Sequence, residues 1–81
     1  MIQVEVHVLA INRLFEVEVN EHATIGSIIE GLASIASAQA GRSWEDASQL
    51  MLCYQDAETV LPVQKTAYQC RIRPGSRLLL I

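Results

Sequence analysis

His7, His22, Cys53 and Cys70 are the side chains best suited to acid–base, nucleophilic or metal chemistry, and none stands at a spacing that such chemistry needs. A metal site is read from closely spaced ligand pairs, and the two cysteines form no C-x-x-C. No carboxylate and histidine cluster has ligand spacing either. His7 falls on the outward side of a strand pattern and His22 in a strand-to-helix connection, so both read as solvated histidines. Glu5, Glu16 and Glu18 alternate with apolar residues, the mark of a solvent-facing sheet surface, and Glu45-Asp46 reads as a soluble loop. Gly26 and Gly31 lack Walker spacing and form no phosphate loop. The sequence therefore predicts no catalytic, cofactor-binding or metal-ligating residue, and two cysteines that are free and buried.

Function must then reside in surfaces, and the composition narrows which ones. The chain has 81 residues, against roughly 100–200 for a typical domain, so residues 1–81 are expected to form one domain. A hydrophobic content of 51% with 19% charged residues excludes disorder as a description of the chain. The net charge is −3 and the bases are scattered, with only Arg71, Arg73 and Arg77 close together. A nucleic-acid binder carries a basic stripe, so no nucleic-acid partner is expected. The longest apolar run, Leu78 to Ile81, falls far short of a membrane span, so no direct membrane insertion is expected. Acidic Glu5 in the opening segment argues against a signal peptide and for a cytoplasmic location.

Two periodicities organise the chain. Over residues 2–10, Ile2, Val4, Val6, Val8 and Ala10 share one face and Gln3, Glu5, His7 and Leu9 the other, which predicts a half-buried strand. Residues 14–19 alternate again with Phe15, Val17 and Val19 inward, and Asn12 suits a left-handed turn between them. The period then lengthens. Ile25, Ile28, Ile29, Leu32, Ile35 and Ala36 make one apolar stripe, which predicts a helix from Ile25 to Ala40. Thr24 is placed to cap its start and Gly41 to end it.

Residues 42–49 read as a loop, with Ser43 able to cap a helical turn. Leu50 to Tyr54 reads as a third strand, residues 55–58 as a turn, and Thr59 to Leu61 as a short edge strand halted by Pro62. Residues 66–70 suit a tight turn. Arg73-Pro74-Gly75-Ser76 fits a type II turn, and Arg77 to Ile81 forms the last strand, apolar enough to be central. The order β-β-α-β-β-β, with one helix packed across a mixed sheet, predicts an α+β fold of the β-grasp type.

Over its whole length the chain resembles ubiquitin-like proteins. The segment from Thr24 to Leu32 is similar to the start of the ubiquitin helix, and Leu50 to Tyr54 to its third strand. Tyr68 to Leu78 resembles the tight turn, isoleucine anchor, polar turn and final strand of that fold. Within it the chain is most similar to the bacterial YukD/EsaB-like proteins, whose tails resemble D-Y-Q-I-x-x-G-D-x-L. The run from Ala67 to Leu78 has two extra residues between Tyr68-Gln69 and the glycine turn. The resemblance implies a non-enzymatic protein-interaction module, an accessory or regulatory component of bacterial type VII (ESX/WXG100) secretion, with secretion-machinery proteins as partners. Two alternatives stand beside it. One is a small structural subunit of a multicomponent oxygenase. The other is a sulfur carrier or modifier, which needs a native chain extended to Gly-Gly, because a branched residue tied into a strand, as Ile81 is expected to be, makes a poor acyl donor.

Strand parity points to one surface. Leu78 and Leu80 should face the helix, which sends Leu79 and Ile81 to the opposite face. Leu50 and Leu52 should likewise send Met51 and Cys53 outward, with His7 and Leu9 flanking on the first strand. An open apolar patch of this kind marks a protein partner site or a contact between copies of the chain in a homo-oligomer. Trp44 is a second candidate anchor, read otherwise as a lid on the core. Tyr54 and Tyr68 are expected at the core edge with hydroxyls reaching backbone or water.

Overall fold

The structure, a computed structural model, describes residues 1–40, 50–55 and 59–81. The expected helix end at Gly41, the loop at 42–49 with Ser43, Trp44 and Glu45-Asp46, and the turn at 56–58 lie outside the described residues.

Alternation builds the sheet. Strand β1 (Ile2–Val8) buries Ile2, Val4, Val6 and Val8, every second residue. It pairs antiparallel with β2 (Arg13–Val19) in the register Val6 to Phe15 and Val8 to Arg13. That last pair leaves four residues for the reversal, so the first strand ends at Val8 rather than Ala10. Leu9–Ile11 turns as a single 3-10 helix, and Asn12 closes it at φ 49° with its amide donating to the Leu9 carbonyl (3.2 Å). The left-handed conformation expected of Asn12 is present.

Helix α1 (Ile25–Ala40) has the expected bounds. The amides of its first turn, which have no partner within a helix, are all taken up. Ile25 N–H donates to the Lys65 carbonyl (2.8 Å) and Gly26 N–H to the Val63 carbonyl (3.0 Å). Ser27 N–H donates to the Thr24 hydroxyl (3.2 Å), the expected cap, and Ile28 N–H to the Thr24 carbonyl (3.0 Å). Ile25, Ile28, Ile29, Leu32 and Ala36 are buried as the stripe requires, and Ala33 joins them. Ile35 does not. It is 43% exposed, because it reaches the groove beside β2, where no further strand covers it.

Strand β3 (Leu52–Tyr54) is shorter than expected, and β4 (Arg77–Leu80) closes the sheet in the order β2-β1-β4-β3. β4 runs parallel to β1 and antiparallel to β3, which gives it the central place its apolar sequence demands. The fifth strand expected at 59–61 is reduced to one bridge between Val60 and Cys53. Pro62 follows directly and has no N–H to extend a ladder. The turn after β3's partner segment is built by a reciprocal pair: Thr66 N–H donates to the Gln69 side-chain oxygen (2.9 Å) and Gln69 N–H to the Thr66 hydroxyl (3.1 Å). Arg71 then takes φ 60°, and Gly75 takes φ 85° in the expected type II turn, where Ser76 N–H meets the Arg73 carbonyl (3.0 Å).

Candidate functional site

The two faces of the sheet differ by one residue of register. Leu78 and Leu80 of β4 are 1% exposed and meet the helix-side core with Val6, Val8 and Leu52. The residue between them, Leu79, pairs with His7 on one side and Cys53 on the other. His7 pairs in turn with Leu14, and Cys53 with Val60. Directly paired residues project to the same face, so Leu14, His7, Leu79, Cys53 and Val60 form one row across the open side of the sheet. Beyond its end, Met51 and Ile81 exchange both backbone hydrogen bonds (2.7 and 2.9 Å), which continues the β3–β4 ladder by one pair.

Parity placed most of this surface correctly. Met51 is 45% exposed and Ile81 39%, while Leu79 and His7 are half-buried. Two expectations fail. Cys53 lies on the outer face but is buried, because Leu79 and Val60 flank its short side chain on both sides. Leu9 is exposed but belongs to the 3-10 turn, beyond the end of the first strand on which it was expected to flank the patch. Two residues belong on the patch that were not singled out, Leu14 at 62% exposure and Val60 at 50%. Leu14 was implied by the inward set Phe15, Val17 and Val19. Val60 could be found only by pairing its segment with β3.

A polar row borders the apolar one. Glu5 pairs with Glu16 in β2 and with Arg77 in β4, and the Arg77 guanidinium lies 3.5 Å from the Glu5 carboxylate. Gln3 donates to the Glu16 carboxylate (3.1 Å). His7 Nε2 lies 3.1 Å from Asn12 Oδ1, so the turn residue holds the imidazole within the row. The surface is therefore an apolar row with a largely acidic rim.

The tyrosines divide. The Tyr54 hydroxyl donates to the Cys70 carbonyl (2.6 Å), as expected of a core-edge residue. Burial pushes its phenol above the ordinary value of 10.0; the neighbouring Cys70 adds to that and Arg73 opposes it. Tyr68 is 66% exposed and sits instead beside His22, with ring centroids 6.2 Å apart. Both cysteines are free; Cys70 is half-buried rather than buried. Among the described residues no three histidine, cysteine or acidic side chains gather to hold a metal ion. No helix among them is long and apolar enough to cross a membrane.

No family model and no curated protein matches the chain. Solved structures do. Ubiquitin from Caldiarchaeum subterraneum superposes with a TM-score of 0.76 at 17% identity, over 99% of this chain and 90% of that one. The EccD5 ubiquitin-like domain from Mycobacterium xenopi gives a TM-score of 0.76 at 22% identity, over 99% and 91%. The fold is the ubiquitin-like β-grasp. A third likeness, to ATBAG1 in complex with HSP70, has a TM-score of 0.74 at 18% identity, over 100% of this chain and 40% of that one. This ubiquitin-like chain thus carries its exposed apolar row on the sheet face turned away from the helix.

Proposed function

We propose that this is a non-enzymatic interaction module that docks a partner protein on the open sheet face, as a cytoplasmic accessory or regulatory component of bacterial type VII (ESX) secretion. One observation carries the docking role: Leu14, Leu79 and Val60, with Met51 and Ile81 beside them, leave apolar surface exposed where the helix covers only the other side. Contiguous apolar surface of this kind on a small domain marks an interaction site. The acidic rim of Glu5, Glu16 and Glu18 favours a partner whose apolar anchors are flanked by basic residues. The likeness to an EccD5 ubiquitin-like domain supports the secretion setting. The resemblance of the run from Ala67 to Leu78 to YukD/EsaB-like tails supports it from the sequence, with two extra residues before the glycine turn.

Titration of the purified protein with recombinant cytosolic domains of the type VII ATPase and membrane components tests this reading. Saturable binding is expected, together with loss of binding in a folded Leu79→Glu variant. Self-association that consumes the same face, or binding unaffected by Leu79→Glu, would overturn it.

A further inference from the structure

The described chain has a second surface, unrelated to the sheet face and opposite in charge. An open cleft of about 460 Å³ lies between Glu21, near the start of the β2–α1 connection, and the arm leading into β4. Tyr68, Arg71, Arg73 and Pro74 form most of its wall, and Glu21 lines it as well. The arm is held against the connection by backbone bonds, Tyr68 N–H to the Glu21 carbonyl (2.8 Å) and Ala67 N–H to the Ala23 carbonyl (3.1 Å). Arg71, Arg73 and Tyr68 therefore line one wall whose backbone is held in place.

Three observations separate this cleft from ordinary solvated surface. First, neither Arg71 nor Arg73 pairs with a carboxylate among the described residues, although the chain as a whole carries more acids than bases. The cleft keeps a net positive charge, since Glu21 is the one acid lining it. Second, Arg71 occupies the left-handed region at φ 60°, where an L side chain is disfavoured and glycine or asparagine is the usual choice. The backbone is held there by Ile72 N–H to the Ala67 carbonyl (3.0 Å) and Arg71 N–H to the Tyr68 carbonyl (3.0 Å). An arginine at a position that suits glycine is a local cost, and no ion pair among the described residues offsets it. Third, Tyr68 leaves its ring two-thirds exposed at the cleft, backed by His22.

We propose that this cleft binds an acidic segment of a protein partner, with Arg71 and Arg73 taking its carboxylates and the Tyr68 ring packing on the adjoining chain. Guanidinium groups suit carboxylates because their planar donors match both oxygens at once. A nucleic-acid backbone fits poorly, since the cleft offers two arginines against one acid, too short a basic wall to track successive phosphates.

The test uses an acetylated and amidated tetraglutamate peptide titrated into the whole protein at low salt, followed by amide and arginine side-chain chemical shifts. Tetraglutamine, inorganic pyrophosphate and a short single-stranded DNA serve as comparisons. Saturable shifts at Tyr68, Arg71 and Arg73 with tetraglutamate alone are expected, weakening as salt is raised. Arg73→Gln should weaken binding by about tenfold, the loss of one charge-assisted pair. Arg71→Gly is the decisive variant: it should weaken binding comparably while raising the melting temperature, because it removes the backbone strain together with the guanidinium. Equal response to tetraglutamine, stronger binding of pyrophosphate or DNA, or full binding by Arg71→Gly would each overturn the assignment.

Discussion

Two rows of side chains run across the same strands one residue apart, and they differ most in what covers them. Phe15, Val6 and Leu78 form one row, with Tyr54 at its far end, and the helix lies over its centre. Leu14, His7, Leu79, Cys53 and Val60 form the other, and no described element lies over it. Chemically the two β4 residues are identical leucines. Leu78 is 1% exposed and Leu79 half-buried. Identical residues are therefore buried in the core on one face and left partly open on the other, and the layer architecture decides which.

Truncation should separate the rows most sharply. Leu78→Ala removes fully buried methyl groups and is expected to destabilise the fold by about 3 kcal/mol, whereas Leu79→Ala should cost about 1 kcal/mol or less. Urea unfolding of both variants reads this directly; equal losses would break the distinction between the faces. The junction of the inner row with the arm gives a smaller effect. Tyr54→Phe removes the hydrogen bond to the Cys70 carbonyl, an expected loss of about 1 kcal/mol by the same measurement.

Tyr54 also gives the inner row a pH signature. Its folded-state pKa is raised above 10.0, chiefly by burial. Its contribution is then fully present below the unfolded pKa near 10.0 and is lost as pH rises through the higher folded value. Stability measured across that alkaline window should fall more steeply for the wild type than for Tyr54→Phe. Matching slopes would remove the assignment.

Relief of strain at Arg71 comes next, since Arg71→Gly should raise stability by about 0.5 kcal/mol after the entropy cost of glycine. The smallest effect concerns labelling rather than stability. Cys53 is 3% exposed beneath Leu79 and Val60, so native-state thiol labelling should modify half-buried Cys70 first. Leu79→Ala should narrow that difference by uncovering Cys53.

Most of the fold was legible from the two periodicities. Alternation set the inward residues of β1, β2 and β4, and Thr24 with the isoleucine spacing set the helix bounds. The failures have a shared cause, in that they depend on neighbours distant in sequence. Leu9 left the strand because Val8 pairs with Arg13 and the reversal had to fit between them. Ile35 stayed exposed because β2 is an edge strand. Cys53 was covered because segment 59–61 folds back beside it. Alternation names the side of a sheet on which a residue falls, but burial there depends on the side chains in the next strands. The same limit explains the candidate site: Met51, Leu79 and Ile81 followed from parity alone, while Val60 needed the pairing partner. The basic cleft was visible only as the arginines at 71, 73 and 77, and pairing with Glu5 sends Arg77 to the sheet face.

Amide chemical-shift mapping of the protein bound to a purified cytosolic type VII component tests the central claim most directly. Docking on the open sheet face requires the largest shifts at Leu14, His7, Leu79, Val60 and Met51, and a folded Leu79→Glu variant that shows none of them. Shifts confined to the exposed side of α1, or an unchanged pattern in Leu79→Glu, would contradict it.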